Sequence, residues 1–97
     1  MYFVYSLKSC NHKYVYVGIT ENIERRLYQH NHGQNKSTKP YSPFFLLYYE
    51  KLPDRKAARE REIYLKSTSG KRFLYELLDN PRAGLPPEGR FEPPLGR

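Results

Sequence analysis

The chain has 97 residues, one domain's worth, and a chain of that length leaves roughly 35 to 40 % of its unfolded-state surface exposed even when folded, which excludes a two-domain enzyme. Hydrophobic residues make up 38 %, with ten Tyr, five Phe and no Trp, which is enough for a small core. Seventeen Lys and Arg against ten Asp and Glu give +7, a balance that serves solubility and also favours polyanions such as nucleic acid; the single cysteine, Cys10, excludes an internal disulfide and a cysteine-built zinc site and points to the cytoplasm.

Met1 to Leu7 is apolar, too short for a signal peptide or membrane span and without a basic stretch before it, so it reads as a strand. Residues 2–7 and 14–19, rich in β-branched and aromatic side chains, flank the polar Ser9-Cys10-Asn11-His12 and predict a hairpin. A register symmetric about that four-residue loop pairs Lys8 with Lys13, Leu7 with Tyr14 and Tyr5 with Tyr16. Two phenols then share one face, and a slip of one residue would separate them. Thr20 is the expected cap of a first helix whose first turn holds Glu21 and Glu24. Ile23, Leu27 and Asn31 line its inner side, Arg26 and His30 border that side one turn apart, and Gly33 ends it. Residues 34–43, polar and holding Pro40 and Pro43, predict a loop; the apolar run 44–49 predicts a buried third strand. Asp54 opens a second helix through about Ser67, with Ala58, Glu62 and Leu65 on one stripe. Gly70 is expected to break the chain before a short third helix marked by Phe73, Leu74, Leu77 and Leu78. The order β-β-α-β-α-α makes this an α+β chain over residues 1–80. From Pro81 onward five of seventeen residues are Pro and three are Gly, so 81–97 is expected to be an extended or disordered tail with too little apolar surface to offset its ordering.

Four residue types stand out for chemistry. Glu62 places a carboxylate on an inner helical stripe, which is costly unless a cation meets it, and an arginine such as Arg26 would serve. Arg26 by itself reads as a solvated charge, a phosphate anchor or a fork aimed at a phosphate's developing charge. His30 either shares a proton or caps the helix end. Tyr5 and Tyr16, two of ten tyrosines, are strand filler unless something joins them.

Their order is more informative. Tyr5, then Tyr16-Val17-Gly18, Arg26 eight residues past the glycine, His30 four beyond it, and Glu62 in a later helix resemble the GIY-YIG nuclease family. The two name-giving tripeptides stand as Phe3-Val4-Tyr5 and Tyr16-Val17-Gly18. The run from Tyr16 to Leu27 looks like that of the small stand-alone, UvrC-like members, as does Arg61-Glu62-Ile63-Tyr64-Leu65-Lys66 followed by Gly70-Lys71-Arg72. The resemblance covers about residues 2–79. It implies a three-stranded antiparallel sheet with helices packed on it. Phe3 replaces the family's first glycine, and Ile19 stands where excision-repair members often carry a lysine near the first tyrosine, a place His30 is positioned to fill.

The resemblance implies hydrolysis of phosphodiester bonds with one divalent cation, Mg²⁺ or Mn²⁺, on Glu62. It implies further that Arg26 forks onto the scissile phosphate, that Tyr5 orients or deprotonates the attacking water with Tyr16 beside it, and that His30 polarises a phenol or touches the phosphate. A tyrosine near pKa 10 is a weak base at neutral pH, so the ion and Arg26 would have to lower that value. Substrate contacts are expected from Gly18, Lys36, Lys39, Lys66, Lys71, Arg72 and Asn80, binding phosphates without a sequence code. The lack of a recognition module favours nicked, flapped or branched structures over a long site, and the nucleic acid expected is DNA ahead of RNA. The competing readings are a nucleic-acid-binding module of the same fold without catalysis, and a protein-interaction domain that uses the Pro-rich tail as ligand.

Overall fold

The structure is a computed structural model that describes residues 1–79; Asn80 and the expected tail 81–97 lie outside the described residues. The elements follow the expected order: β1 (Tyr2–Ser9), β2 (Val15–Thr20), α1 (Ile23–Asn31), β3 (Phe44–Leu52), α2 (Arg55–Lys66) and α3 (Thr68–Asp79). The three strands form one antiparallel sheet in the order β2-β1-β3, so β1 is central and β2 is an edge. No helix among the described residues is long and apolar enough to cross a membrane.

The hairpin register differs from the symmetric one by two residues. Tyr5 pairs with Gly18, Leu7 with Tyr16 and Lys8 with Val15, because the loop is longer than four residues and closes through Ser9 N–H donating to Tyr14 O at 3.0 Å. Side chains alternate with a period of two, so a shift of two keeps every residue on its face. Tyr5 and Tyr16 therefore still share a face, as diagonal rather than direct neighbours. Lys13, freed from pairing with Lys8, sits over the Tyr75 ring.

β3 runs on to Leu52 because Tyr2, Phe3 and Val4 continue the ladder opposite Leu52, Lys51 and Glu50. An irregularity between Ser6 and Leu7 sets Leu7 opposite Leu46 while Ser6 faces Tyr48, leaving Leu47 as the extra residue. Leu46 and Tyr49 thus join one face, while Tyr48 joins the other with Leu47 packed against it. That switch lets an almost unbroken apolar run bury itself on both sides of the sheet.

The two faces carry separate cores. Val4, Val17, Tyr48, Leu65, Leu74 and Leu77 pack under α2 and α3; Tyr5, Leu7, Leu27, Phe44 and Leu46 pack under α1. α2 starts where expected, at the Asp54 cap, whose Oδ1 accepts from Ala57 N–H at 2.8 Å, and its buried residues are Ala58, Glu62 and Leu65. α1 is capped by Asn22 and not by Thr20. The Asn22 Oδ1 accepts from Arg25 N–H at 3.0 Å, whereas Thr20 ends β2 opposite Phe3 and its hydroxyl accepts from Asn22 N–H. Glu21 accordingly precedes the helix, and Glu24 is the acid of its first turn. Gly33, at φ 71°, follows the helix in the left-handed region that glycine adopts without strain.

Gly70 does not break the chain. It lies inside α3, which begins at Thr68, where Ser67 Oγ accepts from Gly70 N–H at 3.2 Å. α2 is pinned to β3 by Arg61, whose Nε and Nη2 donate to the two Glu50 oxygens at 2.8 and 2.6 Å while the Tyr48 hydroxyl donates to Oε2 at 2.6 Å. Burial pushes the Glu50 carboxyl up, but the bonds from Arg61 and Tyr48 outweigh it and hold the group below its ordinary value.

Candidate active site

Tyr5 and Tyr16 reach their common face from adjacent strands, and Gly18 makes room for both. A Cβ at Gly18 would stand 2.8 Å from the Tyr5 hydroxyl and 2.9 Å from Tyr16 Cε2, so any side chain there would displace the phenols. The rings lie 6.1 Å apart, centroid to centroid, and tilted. α1 crosses this face and supplies the other two groups. Arg26 presents its guanidinium to both phenols, and its Nη1 donates to Gln29 Oε1 at 2.7 Å. His30, fully buried, has its ring centroid 4.7 Å from that of Tyr16 and its Nε2 3.2 Å from the Tyr5 hydroxyl. On its far side Nδ1 meets Thr38 Oγ1 at 2.8 Å. The four groups that the sequence strings over residues 5–30 therefore make one connected cluster.

Burial sets their proton affinities. It pushes Tyr5 up to about 12; the hydrogen bond from Arg26 works the other way, and Tyr16 adds to the rise. The expected lowering of Tyr5 is thus not achieved by the chain's own residues. Tyr5 rests as a neutral phenol, a donor. Burial also works against the Arg26 charge, but the contacts with Tyr5 and Tyr16 outweigh it and raise its pKa. His30 is lowered from 6.5 to about 4, first by burial and then by Arg26, so the folded protein holds a neutral imidazole at pH 7.

A pH dependence of stability follows. The unfolded chain takes up the His30 proton near 6.5 and the folded one only near 4, so this contribution is complete above pH 6.5 and is lost as the pH falls through that window. Urea midpoints at pH 7 and pH 5 check it. The wild type is expected to lose more on acidification than His30→Gln; equal losses would contradict a buried neutral ring.

Glu62 meets its cations elsewhere than at Arg26. Buried at 8 % exposure, it accepts from Arg59 Nη1 at 3.0 Å and pairs with Lys66 Nζ at 3.0 Å. Arg26 is engaged with Gln29 and the phenols instead. α2 packs against β1 and against edge strand β2, which carries Tyr16 and Gly18 on its opposite face. Among the described residues no group of three or more His, Cys, Asp or Glu could hold a metal ion. A cation here would have one protein carboxylate and fill its other positions with water and phosphate oxygen. That donor set fits a hard ion such as Mg²⁺ or Mn²⁺ and does not fit structural zinc.

The predicted substrate contacts fall into two groups. Lys36 and Lys39 are exposed on the loop that follows α1, with the Lys39 stem lying across Gly33. Lys66 ends α2 in its pair with Glu62, and Lys71 and Arg72 are exposed on α3. Gly18 lies beneath the two phenols, and Asn80 is outside the described residues. Two members of the cluster escaped the reading of the sequence. Gln29, three residues from Arg26, was legible from helical spacing. Thr38 carries no local signal.

The profile of the GIY-YIG catalytic domain matches residues 1–76. A UPF0213 protein of Clostridium perfringens is 39 % identical over 67 residues, which cover 68 % of this chain and 71 % of that one. Another, of Syntrophus aciditrophicus, is 36 % identical over 81 residues, 81 % of this chain and 92 % of that one. The solution NMR structure of a UPF0213 protein from Bacillus halodurans is 30 % identical, covers 82 % of this chain and 87 % of that one, and superposes with a TM-score of 0.49. With the profile matched from β1 into α3, the chain belongs to the GIY-YIG family of nuclease domains, among its UPF0213 members.

Proposed function

We propose that this protein is a metal-dependent endonuclease that hydrolyses phosphodiester bonds, in DNA ahead of RNA, and selects its substrate by structure rather than by sequence. The observation that carries the reading is the convergence of Arg26, Tyr5, Tyr16 and His30 around Gly18 in a chain whose family is a nuclease family. Residues 1–80 are the catalytic unit in this reading, and 81–97 a tail outside it.

Phosphodiester hydrolysis is slow because charge builds on the non-bridging oxygens while a water loses a proton and an alkoxide departs. Arg26 answers the first problem. Its guanidinium stays charged, and Gln29 and the phenols hold it in place, so it offers a preorganised fork to the phosphate. Tyr5, a neutral phenol with its hydroxyl against His30, orients the attacking water and takes that water's proton on its oxygen as its own hydrogen passes to His30 Nε2. Tyr16 packs beside both and restricts the ring positions. Glu62 would hold a divalent cation, Mg²⁺ or Mn²⁺, in exchange for its contacts with Arg59 and Lys66; when bound, such an ion stabilises the departing oxygen. Lys36, Lys39, Lys71 and Arg72 supply phosphate contacts without base readout.

Purified protein assayed on linear, nicked, flapped and single-stranded DNA and RNA tests this. Cleavage is expected with Mg²⁺ or Mn²⁺, to vanish with EDTA and with Glu62→Gln, and to favour the branched DNAs. Salt-sensitive binding without cutting in any metal would replace the nuclease by a binding module of the same fold. Equal cutting of linear and branched duplexes would remove the structural selectivity.

A further inference from the structure

The loop between α1 and β3 does more than present lysines. Thr38 is fully buried, as is His30, and its hydroxyl lies 2.8 Å from His30 Nδ1 and 3.3 Å from the Asn35 carbonyl oxygen. The Asn35 carbonyl only accepts, so a Thr38 hydroxyl that donates to it offers His30 a lone pair, and the shorter 2.8 Å contact is then made by an Nδ1–H donor. His30 then carries its hydrogen on Nδ1. Tyr5 fits the same tautomer from the other end: the Arg26 guanidinium beside it can only donate, and Nε2 at 3.2 Å is the acceptor that the Tyr5 hydroxyl meets in this arrangement.

We infer that Thr38 is a positioning residue for the Tyr5–His30 pair: its buried hydroxyl holds the imidazole in the Nδ1–H tautomer and keeps the Nε2 lone pair facing the Tyr5 hydroxyl. The resulting chain runs from Tyr5 O–H to Nε2, and from Nδ1–H through the Thr38 hydroxyl to the Asn35 carbonyl, with every donor aimed at an acceptor. The catalytic meaning of this chain rests on the nuclease reading; the tautomer does not.

The loop is built to hold that hydroxyl still. The Asn35 carbonyl also accepts from Thr38 N–H at 3.2 Å and Lys39 N–H at 3.0 Å, and the Asn35 Oδ1 accepts from Ser37 N–H at 3.1 Å. Beyond it, a 3₁₀ turn over Lys39–Tyr41 is fastened at its end, where the Tyr41 ring stacks on Tyr14 at 4.0 Å and Ser9 Oγ donates to the Tyr41 carbonyl at 2.6 Å. A side chain held at both ends of its segment loses little further freedom in fixing a partner's tautomer.

Long-range ¹H–¹⁵N correlation spectra of the imidazole at pH 7 read the tautomer directly, in wild type, Thr38→Ser and Thr38→Val. Wild type and Thr38→Ser are expected to show a protonated Nδ1 and an unprotonated Nε2, and Thr38→Val, of the same shape without the hydroxyl, a mixture or the opposite tautomer. In the cleavage assay Thr38→Val is expected to lower kcat about tenfold, the value of one hydrogen bond in a buried network, with KM little changed, and Thr38→Ser to restore it. A wild-type spectrum with the hydrogen on Nε2 would overturn the assignment, whether or not any variant folds. So would a Thr38→Val spectrum identical to wild type. If no metal supports cleavage, the nuclease reading fails alone, and the spectra still decide the role of Thr38.

Discussion

Arg26→Ala is expected to lower the single-turnover rate of phosphodiester cleavage by about 10²–10³, the range found when one preorganised donor to a developing oxyanion is removed. The effect should fall on the chemical step rather than on binding, because the exposed lysines keep the phosphate attraction that governs affinity. Folding should be little affected. Arg26 is part-buried at the rim of the α1 core, and Leu27 next to it carries the burial. Circular dichroism and thermal melts of the same preparation separate the two effects. A rate within threefold of wild type would remove Arg26 from the chemistry and leave it as a brace for Gln29 and the two phenols. Arg26→Lys keeps the charge but loses the planar fork and should recover only part of the rate.

Gly70→Ala carries the largest expected effect on stability, and two lines of reasoning disagree on its sign. Helix propensity says alanine in a helix interior gains about 1 kcal/mol over glycine. Packing says the reverse: a Cβ at Gly70 would fall on the Tyr64 carbonyl oxygen and stand 2.5 Å from Leu65 Cα, both in the backbone of α2. Backbone atoms cannot rotate away as a side chain can, so α3 would have to move off α2 and open the core around Leu65, Leu74 and Leu77. Overpacking of this kind costs about 1–3 kcal/mol, and more where relief requires a helix to shift. For a domain of this size each kcal/mol corresponds to a fall in Tm of about 4–8 °C. Exposed Ser69→Ala, one position away, is the control and should stay within about 0.5 kcal/mol of wild type. A Gly70→Ala protein that melts higher than wild type would show that α2 and α3 are not in backbone contact.

How these outcomes divide follows from what kind of information a sequence carries. The Asp54 cap, the Ala58-Glu62-Leu65 stripe and the left-handed Gly33 were legible because capping and periodicity act over three or four residues. The α1 cap was missed by two positions, since Thr20 and Asn22 are both good caps and only the end of β2 opposite Phe3 chooses between them. The hairpin register was displaced by two, yet Tyr5 and Tyr16 kept a common face, because alternation in a strand survives an even shift.

The sequence by itself determined which residues alternate, which helical faces are apolar and which motif spacings occur, all set by local backbone geometry. Only the tertiary structure decided that Gly70 is a contact rather than a break, that Arg26 meets the two phenols rather than Glu62, and that Thr38 reaches His30 while His30 reaches Tyr5 across 25 positions of chain. Those contacts depend on the distance between elements, and that distance is set by how whole faces pack, which no local pattern encodes.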